Sequence, residues 1–263
     1  MNRPADDLLR PGERLDDLQN QGLRIIQRPD VFRFGTDAVL LADFAAPRPR
    51  ERAVDLGCGT GVIALLLAAH EPRVEAIAAV ELQPEIADMA RRSVRLNGLE
   101  EKISVHNLDM REAAASLGYE RYTLVVCNPP YGRAGATLKS AVTAQRIARH
   151  EDDLTPDDIA ASASALLQNG GRFCAIYPAP RLLEMMQAME AHRLAPKRVR
   201  TIHAVAGRAP KLILLDAVKG ARPGLHWLPP LILSEESGAP TAEWRRIYRV
   251  EDTQSASSAS CEP

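Results

Sequence analysis

Four consecutive residues, Asn128-Pro129-Pro130-Tyr131, make the strongest chemical suggestion in the chain. They close an apolar run, Val125-Val126-Cys127, so a buried strand is expected to deliver them to the carboxyl edge of a sheet, where open α/β folds bind their ligands. Proline lacks a backbone N–H and biases the residue before it to extended conformations, so Pro129-Pro130 predicts a stiff loop in place of a continuing strand. Asn128 then offers a side-chain carbonyl, Asn128 and Pro129 offer backbone carbonyls, and Tyr131 offers a flat face. Such a set could accept hydrogen bonds from a planar –NH₂ group and stack on whatever carries it. Taken alone, an Asn-Pro pair marks an ordinary turn. The upstream segments decide between the two readings.

Those segments describe a second ligand half. Ala53-Val54-Asp55-Leu56 reads as a buried strand, Gly57-Cys58-Gly59-Thr60-Gly61 as a loop whose glycines let backbone approach a ligand, and Val62 to His70 as the helix it opens. The next strand, Ala76 to Glu81, ends in a carboxylate twenty positions beyond Gly61, the spacing at which an acid reaches a ribose diol. A dinucleotide fingerprint requires G-x-G-x-x-G, whereas Val62 stands where the last glycine would be. Asp55 also puts a negative charge beside the loop, which suits a cationic ligand such as the sulfonium and ammonium of S-adenosylmethionine. After a third strand, Ile103 to His106, Asp109 could accept from the exocyclic amine of a bound adenine or cap a helix over Arg111 to Leu117. Pattern alone leaves both roles open.

The elements that must position these groups follow from periodicity and turn chemistry. Leu23 to Gln27 and Phe32 to Gly35 predict a hairpin turning at Arg28-Pro29-Asp30, with Thr36 as N-cap of the helix that follows. Phe32 and Phe34 share one strand face and either pack in the core or cover a cofactor. Pro84 to Leu96 predicts a helix stopped by Asn97-Gly98, Tyr122 to Cys127 a fourth strand, and Thr155 caps a helix from Pro156 to Gln168. Arg172 to Tyr177, Lys197 to Val205 and Leu212 to Val218 are further strands. Leu182 to His192 is a helix whose Met185, Met186 and Met189 belong in a core.

Composition narrows the class. The 263 residues are 46% hydrophobic with a net charge of −1, which fits a soluble globular domain and carries no global nucleic-acid signature. Cys58, Cys127, Cys174 and Cys261 show no C-x-x-C spacing, and His150-Glu151-Asp152-Asp153 reads as a solvated acidic loop, so no metal is expected. The charged amino terminus does not read as a signal peptide and the longest apolar run, Val62 to Ala69, is too short for a membrane span. These features predict a cytoplasmic protein. From Arg193 to Arg222, eight cations face the single acid Asp216, a segment that could touch RNA backbone or merely solubilise the surface.

With these motifs in order, the chain resembles the class I S-adenosylmethionine-dependent methyltransferases that modify exocyclic or amide nitrogens. More narrowly, Phe32 to Ala42, Ala148-Arg149-His150-Glu151, Ala217-Val218-Lys219-Gly220 and Leu228-Pro229-Pro230-Leu231 resemble bacterial tRNA (adenine-N6)-methyltransferases, which act on the adenine next to the anticodon of a valine tRNA. The resemblance implies a Rossmann-like α/β fold: a seven-stranded, mostly parallel sheet with helices on both faces and a short N-terminal hairpin/helix extension. It implies an extension or lid over residues 1–50, a methyltransferase domain over 51–250 and a disordered tail over 251–263.

It further implies that Asn128, Pro129, Pro130 and Tyr131 are catalytic. Phe34, Gly35, Thr36, Asp37, Asp55, Gly57, Cys58, Gly59, Gly61, Glu81, Leu82, Asp109 and Met110, together with Asn128, would bind the cofactor. Arg133, Lys139, Arg198 and Arg200 are the substrate-binding candidates, tRNA is the expected partner, and a monomer is expected. The same four acceptor-side residues could instead orient a protein glutamine amide or the amino group of guanine in rRNA. Protein-directed relatives carry a sizeable helical domain ahead of the cofactor loop, and only about fifty residues precede it here. A non-catalytic cofactor- and RNA-binding module would have no need for Asn128 and Tyr131 together.

Overall fold

The computed structural model describes residues 8–29, 35–129 and 154–249. Its centre is a nine-stranded sheet assembled from β3 (Arg52–Leu56), β4 (Ala76–Glu81), β5 (Ile103–Asn107), β6 (Tyr122–Cys127), β7 (Leu167–Pro178), β8 (Leu194–Val205), β9 (Leu212–Lys219), β10 (His226–Trp227) and β11 (Leu231–Ser234). The path runs β10-β8-β9-β7-β6-β3-β4-β5, with β11 also on β8. All neighbours are parallel except that β9 runs antiparallel to both β7 and β8. The expected seven-stranded sheet is therefore present. To it is added an outer edge of two short strands, β10 and β11, parallel to β8 and separated by Leu228-Pro229-Pro230.

Helices cover both faces because the strands are buried on both. On one side α1 (Thr36–Ala45) and α2 (Val62–His70) bury Leu40, Leu41, Leu65 and Leu66 against Leu124, Val126 and Ile176. On the other, α4 (Ala113–Leu117), α5 (Pro156–Leu166) and α6 (Leu182–Ala191) enclose Phe173, Val125, Leu215, Met185 and Met189, so the methionine stripe is core. Fully burying each such side chain contributes about 1.5–3 kcal/mol. α3 (Pro84–Leu96) opens on proline and α5 on a reciprocal capping box between Thr155 and Asp158.

The structure adds one strand pairing that the sequence reading did not contain and departs from that reading in two places. Arg24–Gln27 (β2), whose expected hairpin partner Phe32 to Phe34 lies outside the described residues, pairs antiparallel with the earlier Arg14–Asp17 (β1). The turn that permits this is built from Gln19, Gln21 and Gly22, all at positive φ. Thr36 is the first helical residue and Gly35 the N-cap, so the Thr36 hydroxyl is released from capping and is hydrogen-bonded to Tyr248. β7 begins at Leu167, inside the helix expected to run to Gln168, and Gly170 at φ 81° accompanies a shift in its register against β6.

The hairpin is tied to α3. Ile26 N–H donates to Ser93 Oγ at 3.0 Å, Asn97 Nδ2 donates to Arg24 O at 2.7 Å, and Arg92 binds Glu13 and Asp88 at once. Leu8, Ile26, Ile86, Met89 and Leu96 form a small core beneath.

Candidate active site

Parallel pairing fixes which residues meet. Leu56 is in register with both Val80 and Cys127, and Glu81 with Asn107. The glycine loop, the Leu82 turn, the Asp109 turn and Asn128 therefore leave the sheet at one level of one edge. Asn128 is half-buried and Pro129 buried.

Within the loop Gly57, Gly59 and Gly61 adopt φ of 71°, 56° and 93°, a region that costs an L side chain energy. At Gly61 an added Cβ would also lie 3.5 Å from that of Ala90 on α3, so this glycine serves loop-to-helix packing. At Gly59 an added Cβ would meet nothing within 4 Å, so this stretch of backbone faces open space. Cys58 N–H donates to Val80 O at 2.9 Å, which pins the loop to β4. Burial and the neighbouring Asp55 and Glu81 raise the Cys58 thiol well above its ordinary range, so it is no nucleophile.

Glu81 is 7% exposed and accepts from Gly59 N–H at 3.1 Å and Gln83 N–H at 2.8 Å. Thus the acid expected to reach a ribose also clamps the loop. Asn107 was not singled out from the sequence; its Nδ2 donates to Glu81 O and Leu82 O, shaping the turn that presents the carboxylate. The only prior signal was an amide ending the neighbouring strand. Leu82 is 40% exposed beside this turn, and Met110 lies buried with its methyl 3.5 Å from a Cβ placed at Gly57. Together they offer apolar contacts for a flat ring.

Asp55 lies beneath the loop, fully buried. Its Oδ2 accepts from Ala64 N–H at 3.1 Å, while Oδ1 is buried without a partner. Burial raises its pKa to about 7, Ala64 opposes the shift, and nearby Glu81 adds to it. An orphaned buried carboxylate oxygen and an open glycine backbone fit a cationic amino-acid-bearing ligand and disfavour a pyrophosphate. Asp109 accepts from Arg111 N–H at 2.9 Å and pairs with its guanidinium at 2.6 Å, so it performs the capping role in this structure. Asp37 is held above the usual carboxylate range by burial at the start of α1.

The remaining candidates divide. Phe34, Pro130, Tyr131, Arg133 and Lys139 lie outside the described residues, as does the tail after Arg249. Arg198 and Arg200, expected at an RNA surface, are committed internally. Arg198 pairs with the buried Asp216 and lies 4.8 Å from the Phe44 ring centroid; Arg200 pairs with Glu243 at 2.8 Å and donates to Pro229 O at 2.9 Å. Their role here is to join sheet, α1 and α7 (Ala242–Tyr248). Among the described residues no group of three or more His, Cys, Asp or Glu is arranged to hold a metal.

Residues 23–192 match the family model of the methyltransferase small domain. A tRNA1(Val) (adenine(37)-N6)-methyltransferase of Porphyromonas gingivalis is 30% identical over 192 residues, covering 71% of this chain and 74% of that protein. The enzyme of the same name from Tolumonas auensis is 31% identical over 185 residues, covering 70% and 76%. Among solved structures, one described as a predicted O-methyltransferase from Agrobacterium tumefaciens superposes with a TM-score of 0.67 at 27% identity, over 81% of this chain and 96% of that one.

Proposed function

The chain belongs to the methyltransferase small domain family, and from that premise we propose that it methylates the exocyclic N6 of an adenine in tRNA, next to the anticodon of a valine tRNA. The cofactor is S-adenosyl-L-methionine, which when bound supplies a methyl group carried on a sulfonium. The observation that carries the reading is the common level of the two half-sites: Leu56 and Cys127 are in register, so the glycine loop and Asn128 emerge side by side.

In this reading the loop backbone and Asp55 seat the amino-acid portion of the cofactor, Glu81 the ribose, and Asp109, Leu82 and Met110 the adenine. Gly35, Thr36 and Asp37, with Phe34, close over it; residues 1–50 act as the cover and 51–250 as the catalytic domain. On the acceptor side, the amine of adenine is a poor nucleophile because its lone pair is delocalised into the ring. Asn128 Oδ1 and a carbonyl of the Pro129-Pro130 loop accept its two hydrogens, fix its direction and return electron density to nitrogen. Tyr131 stacks on the base after it swings out of its loop, a contact worth roughly 1–3 kcal/mol. The work is orientation and charge placement; the methylated nitrogen is cationic and acidic, so its surplus proton passes to water and the scheme uses no tuned general base. A tRNA acceptor puts the enzyme in the cytoplasm, and one chain suffices to form the site.

The test is incubation of purified protein and isotope-labelled methyl donor with tRNA lacking the modification and with cell extract, followed by mass spectrometry of nucleosides and peptides. Labelled N6-methyladenosine is the expected product. Label confined to a glutamine side chain or to guanosine would overturn the assignment.

A further inference from the structure

With Arg198, Arg200 and Lys219 taken up by internal partners, the cations left in the segment from Arg193 to Arg222 fall into two groups at opposite edges of the sheet. Arg193, Lys197 and Arg222 lie near the start of β8 and the end of β9. Arg208 and Lys211 lie in the turn joining the end of β8 to the start of β9. β8 has the direction of the parallel strands, so this turn sits at the carboxyl edge, with Asn128. β9 is next but one to β6, about 10 Å along the edge at some 4.8 Å per strand. The register places Lys211 three residues past the level of Asn128, about 10 Å further out, so the turn lies about 14 Å from Asn128. The other group is a 12-residue strand away, about 36 Å at 3.3 Å per residue.

The turn is built rigidly. Arg208 N–H donates to Val205 O at 3.3 Å, Lys211 N–H to Ile202 O at 3.2 Å, and Lys211 O accepts from Ala179 N–H at 3.0 Å. The His203 ring contacts Arg208 O through Nδ1 and Thr201 Oγ1 through Nε2, which assigns the proton to Nδ1. Gly207 at φ 75° makes the reversal and Pro210 stiffens it. Both cationic side chains are exposed and, among the described residues, neither has an ion-pair partner. Their charged neighbours set the direction of approach. Arg181 is neutralised by Glu184 at 2.9 Å, whereas Glu235 and Glu236 follow β11 on the outer flank and repel a polyanion there.

We infer that Arg208 and Lys211, on the tip of the β8–β9 hairpin, grip RNA phosphates close to the base presented to Asn128, with the strand approaching from the β7 side. A fixed backbone carrying two free cations loses little conformational freedom on meeting a phosphate chain, and its distance from Asn128 suits phosphates near the extruded nucleotide. The inference rests on the tRNA reading.

The test uses the full chain, tRNA lacking the modification, and two double variants, Arg208→Gln with Lys211→Gln and Arg193→Gln with Arg222→Gln. Binding is measured across a salt series, with cofactor affinity and melting temperature alongside. Losing two phosphate contacts should flatten the slope of log K against log salt by about 1.4–1.8. KM for tRNA should rise in the hairpin variant while kcat, cofactor affinity and melting temperature stay at wild-type values, and the second variant should keep the wild-type slope. An unchanged slope in the hairpin variant, beside a wild type that methylates tRNA, would remove the tip from the interface. Equal flattening in both variants would overturn it in favour of a diffuse field. A wild type that neither binds nor methylates tRNA would instead sink the underlying reading.

Discussion

Asp55 ties cofactor affinity to pH in a way that can be worked through from its surroundings. The carboxylate is fully buried, one oxygen is unpartnered, and its pKa stands at about 7. If the cationic ligand binds the ionised form, about one molecule in eleven is competent at pH 6 and about ten in eleven at pH 8, a roughly tenfold gain in affinity. In the upper part of that range an α-amine with an ordinary pKa of about 7.7–8.0 loses its own proton, which offsets part of the gain, so affinity should pass through a maximum between about pH 7 and 8. Stability of the free protein should move the other way. The unfolded chain ionises this group near 3.9 and the folded chain near 7, so the folded state holds the extra proton in between and stability falls as pH rises across that window. The full effect is about 4 kcal/mol, from about three units at 1.36 kcal/mol each. Calorimetric titration of the cofactor from pH 5.5 to 8.5, with melting curves in its absence, measures both trends. Asp55→Asn should abolish the acid-side slope of each. A wild-type dissociation constant that is flat between pH 5.5 and 7, or an identical slope in Asp55→Asn, would refute the argument.

Three further perturbations separate chemistry from architecture. Asn128→Ala should lower kcat by about 10²–10³, the scale for losing one positioned transition-state contact, while the cofactor dissociation constant stays within a few-fold; parallel loss of both would make the residue structural. Arg92→Ala strands Glu13, whose side chain is 4% exposed, and should cost about 2–4 kcal/mol, read as a melting temperature lower by roughly 5–15 °C. Lys219→Met removes the donor shared by Glu120, Ser164 O and Leu167 O; leaving two carbonyls unpaired should cost about 2–3 kcal/mol in denaturant titration with cofactor affinity unchanged.

Much of the donor half-site was legible because its signals are local. A strand, three alternate glycines and a helix occupy one short stretch, and a parallel sheet then forces Glu81, Asp109 and Asn128 to the same edge. Partners far away in sequence were not legible. Nothing near Arg198 announces Asp216, 18 residues on, or near Arg200 announces Glu243, 43 residues on, so a run of eight cations looked like surface when three of them, Lys219 included, were engaged internally. The β1–β2 pairing was hidden for a related reason: it depends on Gln19, Gln21 and Gly22 all entering the left-handed region, and of these only Gly22 signals it. Asp109 presented two roles that one motif encodes equally, and the local cap is the one its side chain makes here.

The interrupted outer edge of the sheet has a consequence for handling the protein. An edge strand exposes a ladder that other chains can extend into aggregates. Here β10 and β11 are only two and four residues long, and Pro229-Pro230 between them present no N–H while the carbonyl of Pro229 is already engaged by Arg200. A strand from another molecule would find no continuous template along this border. Replacing the two prolines with strand-forming residues would join the short pieces into one recruiting edge, and with it the tendency to self-associate.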